Sequence, residues 1–241
     1  MLNFLKRLRK DNSGLAVVEF AVSLPIFMGL TVGGFETSHY AYVHMRLNQL
    51  TIDTADGAAR MGEGEVLASK KIDESQINDV FAGTIRQGES ILLGGEHEYQ
   101  DPGTGDITLR GNALIILSSV EPVEDFDEDD PKYRIRWQRC IGTADYFEPE
   151  YGTVEDSDEI EGIGPEGRLA VPPDDGALMF VETHYFFRPL ILNGFSQLGE
   201  QSITKTASMV VRDVRDYTGG EEGVYQIDGV DASSCAFEVA T

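Results

Sequence analysis

Residues 15–35 are an apolar run of 21 positions interrupted by one formal charge, Glu19. At about 1.5 Å per helical residue the run is roughly 30 Å long, the thickness of a bilayer's hydrocarbon core, and it predicts a membrane-spanning helix. The pattern then turns amphipathic. Tyr40, Val43, Leu47, Leu50, Thr54, Ala58 and Met61 recur at steps of three and four, while Arg46, Asn48, Asp53 and Asp56 fall off that stripe. Gly62 and Gly64 are expected to end it. One helix of about 45 residues follows, kinked at Pro25, with its first half in lipid and its second half lying on a folded domain.

Further along, Ile72, Ile77, Val80, Phe81 and Ile85 share one face of a predicted helix over residues 72–87, with Asp73 and Glu74 in its first turn. Gly, Pro and Asp dominate from there to Gly111, which reads as loop with turns at Gly94-Gly95 and Asp101-Pro102-Gly103. Residues 113–120 and 133–141 read as strands, the second alternating Tyr133, Ile135 and Trp137 against Arg134, Arg136 and Gln138. Residues 177–187 and 201–214 supply two more, separated by Arg188-Pro189 and Asn193-Gly194. The expected fold class is α+β, a long N-terminal transmembrane and amphipathic helix packed on a mainly antiparallel sheet. Its organisation reads as a basic leader (1–14), a transmembrane helix and stalk (15–62), and an α+β domain with acidic loops (63–241).

Charge adds a direction. The chain carries 19 Lys and Arg against 42 Asp and Glu, a net charge of −23. A nucleic-acid partner is therefore not expected, since phosphate repels such a surface. Lys6, Arg7, Arg9 and Lys10 stand on the N-terminal side of the apolar run with no acid among the first ten residues. By the positive-inside bias the N-terminus is cytoplasmic and the acidic remainder lies across the membrane, which in a bacterium means an inner-membrane anchor and a periplasmic domain. A secretory signal peptide fits less well, because its apolar region is shorter, about 7 to 15 residues, and ends at a small-x-small site absent here.

Cys140 and Cys235 lack C-x-x-C spacing, so the count leaves one bridge or two free thiols. An oxidising periplasm favours the bridge, which would tie the C-terminal tail to a strand. Other motifs weaken on inspection. Residues 121–130 hold seven acids, with Asp125, Asp127 and Asp129 alternating as calcium ligands do, yet Asp130 and Arg136 stand where an EF-hand needs Gly and Glu. A solvated acidic hairpin loop is the expectation, and residues 155–161 are read the same way. Residues 162–167 match G-x-G-x-x-G without a preceding strand and behind five acids that would repel a pyrophosphate. Residues 194–199 are one position too long for a nucleophile elbow. His39 and His44 are five apart and face different directions, and His97 and His184 stand alone, so surface or satisfied positions are expected. No catalytic group, cofactor or metal site is expected.

Glu19 needs an explanation, because a carboxylate in an apolar helix costs about 2.5 to 3.5 kcal/mol near the bilayer centre. A shallow position near the positive end of the helix dipole is one answer. A second comes from the whole constellation: a basic leader ending at Gly14, then Leu15, with Glu19 and Phe20 fifth and sixth after the glycine. GLAVVEF resembles the processing site of type IV pilins and pseudopilins. The longer run AVVEFAVSLPIFMGLTVGGFETSHYAYVHMRLNQLTIDTADGAARMG is most similar to the TadE/TadF family of minor pseudopilins from tight-adherence (Flp) pilus systems. FVETHYFFRPLIL and ITKTASMVVRDVRDY extend the similarity near the C-terminus. The resemblance implies cleavage between Gly14 and Leu15 by a membrane prepilin peptidase, and pairing of Glu19 with the new N-terminal amine of a neighbouring subunit. It implies other pilins, pseudopilins and pilus assembly proteins as partners, with entry into the pilus. A long acidic ectodomain departs from the very short major Flp pilins and argues against a shaft subunit. Two alternatives stand beside this reading: an uncleaved, membrane-anchored periplasmic component of the assembly platform, and a membrane-tethered module whose acidic loops bind calcium or protein.

Overall fold

A computed structural model of the chain describes residues 14–64, 69–101, 103–155, 159–191, 201–220 and 222–235. The leader residues 1–13 and the Asn193-Gly194 turn lie outside these. The protein is α+β. It divides into two compact units, residues 1–42 with 188–200, and residues 43–187 with 201–241.

In the first unit, helix α1 (Leu15–Arg60) begins at the apolar run and contains Pro25. It is long and apolar enough to cross a membrane. Leu15, Val18, Phe20, Val22, Ile26, Phe27 and Leu30 are exposed along it. The hydroxyls of Ser23, Thr31, Thr37 and Ser38 donate to backbone carbonyls three or four residues earlier, which satisfies them without water.

The last turns of α1 belong to the second unit. Val43, Leu47, Leu50, Thr54, Ala58 and Met61 are all buried, so the stripe is a packing face. After a two-residue strand β1 (Lys70–Lys71), helix α2 (Glu74–Gln87) starts at Asp73, whose carboxylate accepts from the Gln76 N–H at 3.0 Å. Ile77 and Phe81 are buried along it, and Ile72, expected within the helix, is buried just before its Asp73 cap.

The region read as loop holds a hairpin, β2 (Glu96–Gln100) with β3 (Ile107–Gly111). Its strands alternate weakly because one face carries Glu96, Glu98 and Gln100, leaving no apolar period to detect. Strands β4 (Ala113–Pro122), β5 (Tyr133–Gly142), β6 (Leu178–Phe187) and β7 (Gln201–Val210) form one antiparallel sheet in the order β5-β4-β6-β7. The predicted fourth strand stops at Val210, and a separate short strand β8 (Arg215–Asp216) pairs in parallel with β1.

Both faces of the sheet are covered, which is why β4 is buried almost throughout. On one face Thr51 of α1 donates to Thr183, the Tyr185 hydroxyl donates to the Ile91 carbonyl, and Arg139 meets Glu74 of α2. On the other, Leu114, Ile116 and Cys140 pack with Tyr146 and Phe147 from the 143–177 connection. The expected alternation of β5 fails at one point. Ser119 pairs with Trp137 and Val120 with Ile135, leaving Arg136 as the extra residue of a bulge. Ile135 therefore joins Tyr133, Val120 and Phe180, while the buried Trp137 lies on the opposite face.

Candidate functional site

Gly14 is the last residue before α1, and its carbonyl accepts the first helical bond, from the Val18 N–H at 3.1 Å. A side chain placed on Gly14 would meet nothing within 4 Å, and Leu15 is exposed, so the peptide joining them is open to an approaching backbone-binding cleft. Glu19 is exposed one turn further on, on the face of α1 that carries Leu15, because residues four apart stack on a helix. Its carboxylate has no hydrogen-bond or ion-pair partner among the described residues. Phe20 is exposed beside it.

A second carboxylate on α1 escaped the sequence reading. Glu36, the residue directly after the apolar run, has no exposed surface, and its two oxygens accept from the N–H groups of Leu190 and Ile191 at 2.7 and 3.0 Å. Its position as a lone acid bounding the run was the available signal.

In the second unit Cys140 and Cys235 are joined by a disulfide, and the Cys140 N–H donates to the Ser233 carbonyl. An open cleft of about 710 Å³ lies beside them, lined in part by Gln138, Thr153, Glu222 and Gln226. Arg139 reaches into its wall, but its guanidinium is engaged by Glu74, Glu222 and the Gln138 carbonyl. Burial works against that charge, and the carboxylates of Glu74 and Glu222 overcome it, so the pKa rises above the ordinary arginine value. The sequence places Glu74 in the first turn of a helix without showing its partner. It is a wholly buried anion held by Arg139, a pairing visible only once β5 and α2 are brought together.

The acidic residues 124–130 form the exposed loop joining β4 and β5. Glu121, at its start, is buried between Arg134 and Arg136. Asp125, Asp127 and Asp129 do not converge on a common point. Among the described residues the group close enough to share an ion is Glu150, Glu182 and His184, outside the acidic loop. His184 is far from lone: its Nε2 lies 2.5 Å from Glu182, its Nδ1 3.1 Å from the Thr204 hydroxyl, and Phe147 stacks on its ring. His97 is likewise satisfied, bonded to Asn112 and stacked on Phe186. Gly162, Gly164 and Gly167 all have positive φ, and Ile163 bridges to Ala170, so the G-x-G-x-x-G stretch is a tight turn with no helix after it.

Residues 14–62 match the model of a family described as TadE-like protein. Neither the curated proteins nor the solved structures give a match.

Proposed function

Starting from a TadE-like segment over residues 14–62, which links the chain to Tad pilus assembly and to the membrane, we propose that the protein is a minor pseudopilin. It is the substrate of a prepilin peptidase, cut after Gly14, and carries out no catalysis itself. The observation that carries this reading is the placement of an open Gly14–Leu15 peptide at the mouth of an exposed apolar helix, with Glu19 one turn inside it.

Each part then has a task. The basic residues before Gly14 hold the N-terminus in the cytoplasm, and the acidic domain extends into the periplasm, where the Cys140–Cys235 bridge is stable. Cleavage creates an ammonium at Leu15. In a neighbouring helix offset along the bundle, that ammonium neutralises Glu19 in a low-dielectric setting, where a carboxylate without a partner is costly. The charge pair sets the register of a subunit entering or priming the pilus.

The mature N-terminus, read by intact mass and terminal peptide mapping of protein purified from membranes, tests the proposal. A start at Leu15 is expected. A start at Met1 would favour an uncleaved assembly-platform component, and a start beyond Phe35 would remove the anchor altogether.

A further inference from the structure

Leu190 and Ile191 combine three properties that do not normally coincide. They are large and apolar, they are 58% and 55% exposed, and they sit in irregular backbone whose N–H groups are both satisfied by a carboxylate with no exposed surface, that of Glu36. In water neither N–H would need a protein partner. At the edge of a hydrocarbon phase both would, because irregular backbone there is tolerated only when its polar groups are paired within the protein. Pro189, immediately before, has no N–H to satisfy.

Depth points the same way. Glu36 lies 21 residues after Leu15, roughly 32 Å along a helix, which is level with the far edge of a hydrocarbon core entered at Leu15. Phe35, next to it in the chain, is also exposed and apolar, so the end of α1 that holds Leu190 and Ile191 carries further uncovered apolar surface. All of these residues belong to the same compact unit.

We propose that Leu190 and Ile191 form a second membrane contact, a strap inserted into the leaflet at the far end of the span from Gly14 and held there by Glu36. Two consecutive N–H donors make the carboxylate a fixed clip, with its charge spread over both bonds. The strap would fix the depth and rotation of the anchor, which a single helix leaves free. This inference rests on the reading of α1 as a membrane anchor.

The full chain, reconstituted in phosphatidylcholine and phosphatidylglycerol vesicles, gives the test. Trp137, the one native tryptophan, is fully buried and supplies the baseline. L190W and V22W each add one reporter, read against lipids brominated near the headgroup or near the chain ends, and against aqueous iodide. The L190W reporter is expected to lose most emission to bromine near the headgroup and little to iodide, and the V22W reporter to lose most to deep bromine. Adding E36A should release the L190W reporter to iodide while leaving the V22W reporter unchanged. If V22W responds to bromine and L190W does not, the anchor stands and the strap is overturned, whether iodide finds its reporter in water or a protein contact shields it. If V22W is itself insensitive to bromine, anchor and strap both fall.

Discussion

Arg139 and Glu74 are both buried, bonded at 2.7 Å, and placed on strand and helix respectively. E74A leaves the buried Arg139 charge with only the part-exposed Glu222 and the Gln138 carbonyl, so it should cost about 3 kcal/mol, the lower end of the range for a buried pair broken on one side. An R139M/E74L double variant, which removes both charges, should recover most of that loss in a urea titration. Phenols report on the same interior. Burial raises Tyr146, Tyr185 and Tyr217 from 10.0 to about 12. A raised pKa contributes stability that is complete below the unfolded value of 10 and is lost as pH climbs towards about 12. Phenolate absorbance and far-UV circular dichroism should therefore change together across that window. Y185F, which deletes the donor to the Ile91 carbonyl, should reduce the tyrosine contribution to the transition.

At the scale of elements, α1 ends against a side chain from far away in the chain. The Arg215 guanidinium donates to the carbonyls of Ala58, Ala59 and Met61, the groups a helix C-terminus leaves unpaired. Burial pulls its pKa below the ordinary arginine value, opposed by Tyr217 and Asp213, and the helix dipole rewards the charge that remains. R215A should cost about 2 to 3 kcal/mol and expose the last turn of α1 to hydrogen exchange before the sheet opens. Arg60, the basic residue within that turn, is exposed and pairs with Asp56, so R60A should change stability by under about 1 kcal/mol. The Cys140–Cys235 bridge closes a separation of 95 residues. Chain entropy values such a closure at about 4.6 kcal/mol. Reduction, or a C140S/C235S variant, should lower the denaturation midpoint accordingly.

For the whole molecule, two substitutions test the proposed processing and the proposed role in assembly separately. A bulky residue at position 14 obstructs the backbone approach that glycine leaves open, so G14L should keep the leader attached, seen as a heavier membrane species. E19V keeps the proposed cleavage site and removes the carboxylate. It should be cut normally and fail to support piliation, and wild-type piliation would remove the pairing role from Glu19.

The apolar span, the amphipathic face of α1 and the motif proposed for processing are contained in contiguous sequence, since each depends on helical period or on neighbours in the chain. That is why Val43, Leu47, Leu50 and Ala58 are found in the core as their spacing predicts. The strands of the sheet were legible for the same reason, and the β2–β3 hairpin was not, because its outward face carries Glu96, Glu98 and Gln100. Only the tertiary structure decided which polar residues are interior. Glu36, Glu74, Glu182 and Arg215 look like surface charges in sequence, and each is buried because a partner at least two residues and as many as 157 away meets its hydrogen bonds. Local pattern specifies where apolar side chains point. The burial of a charge depends on a second group arriving from elsewhere, and no one-dimensional period encodes that meeting.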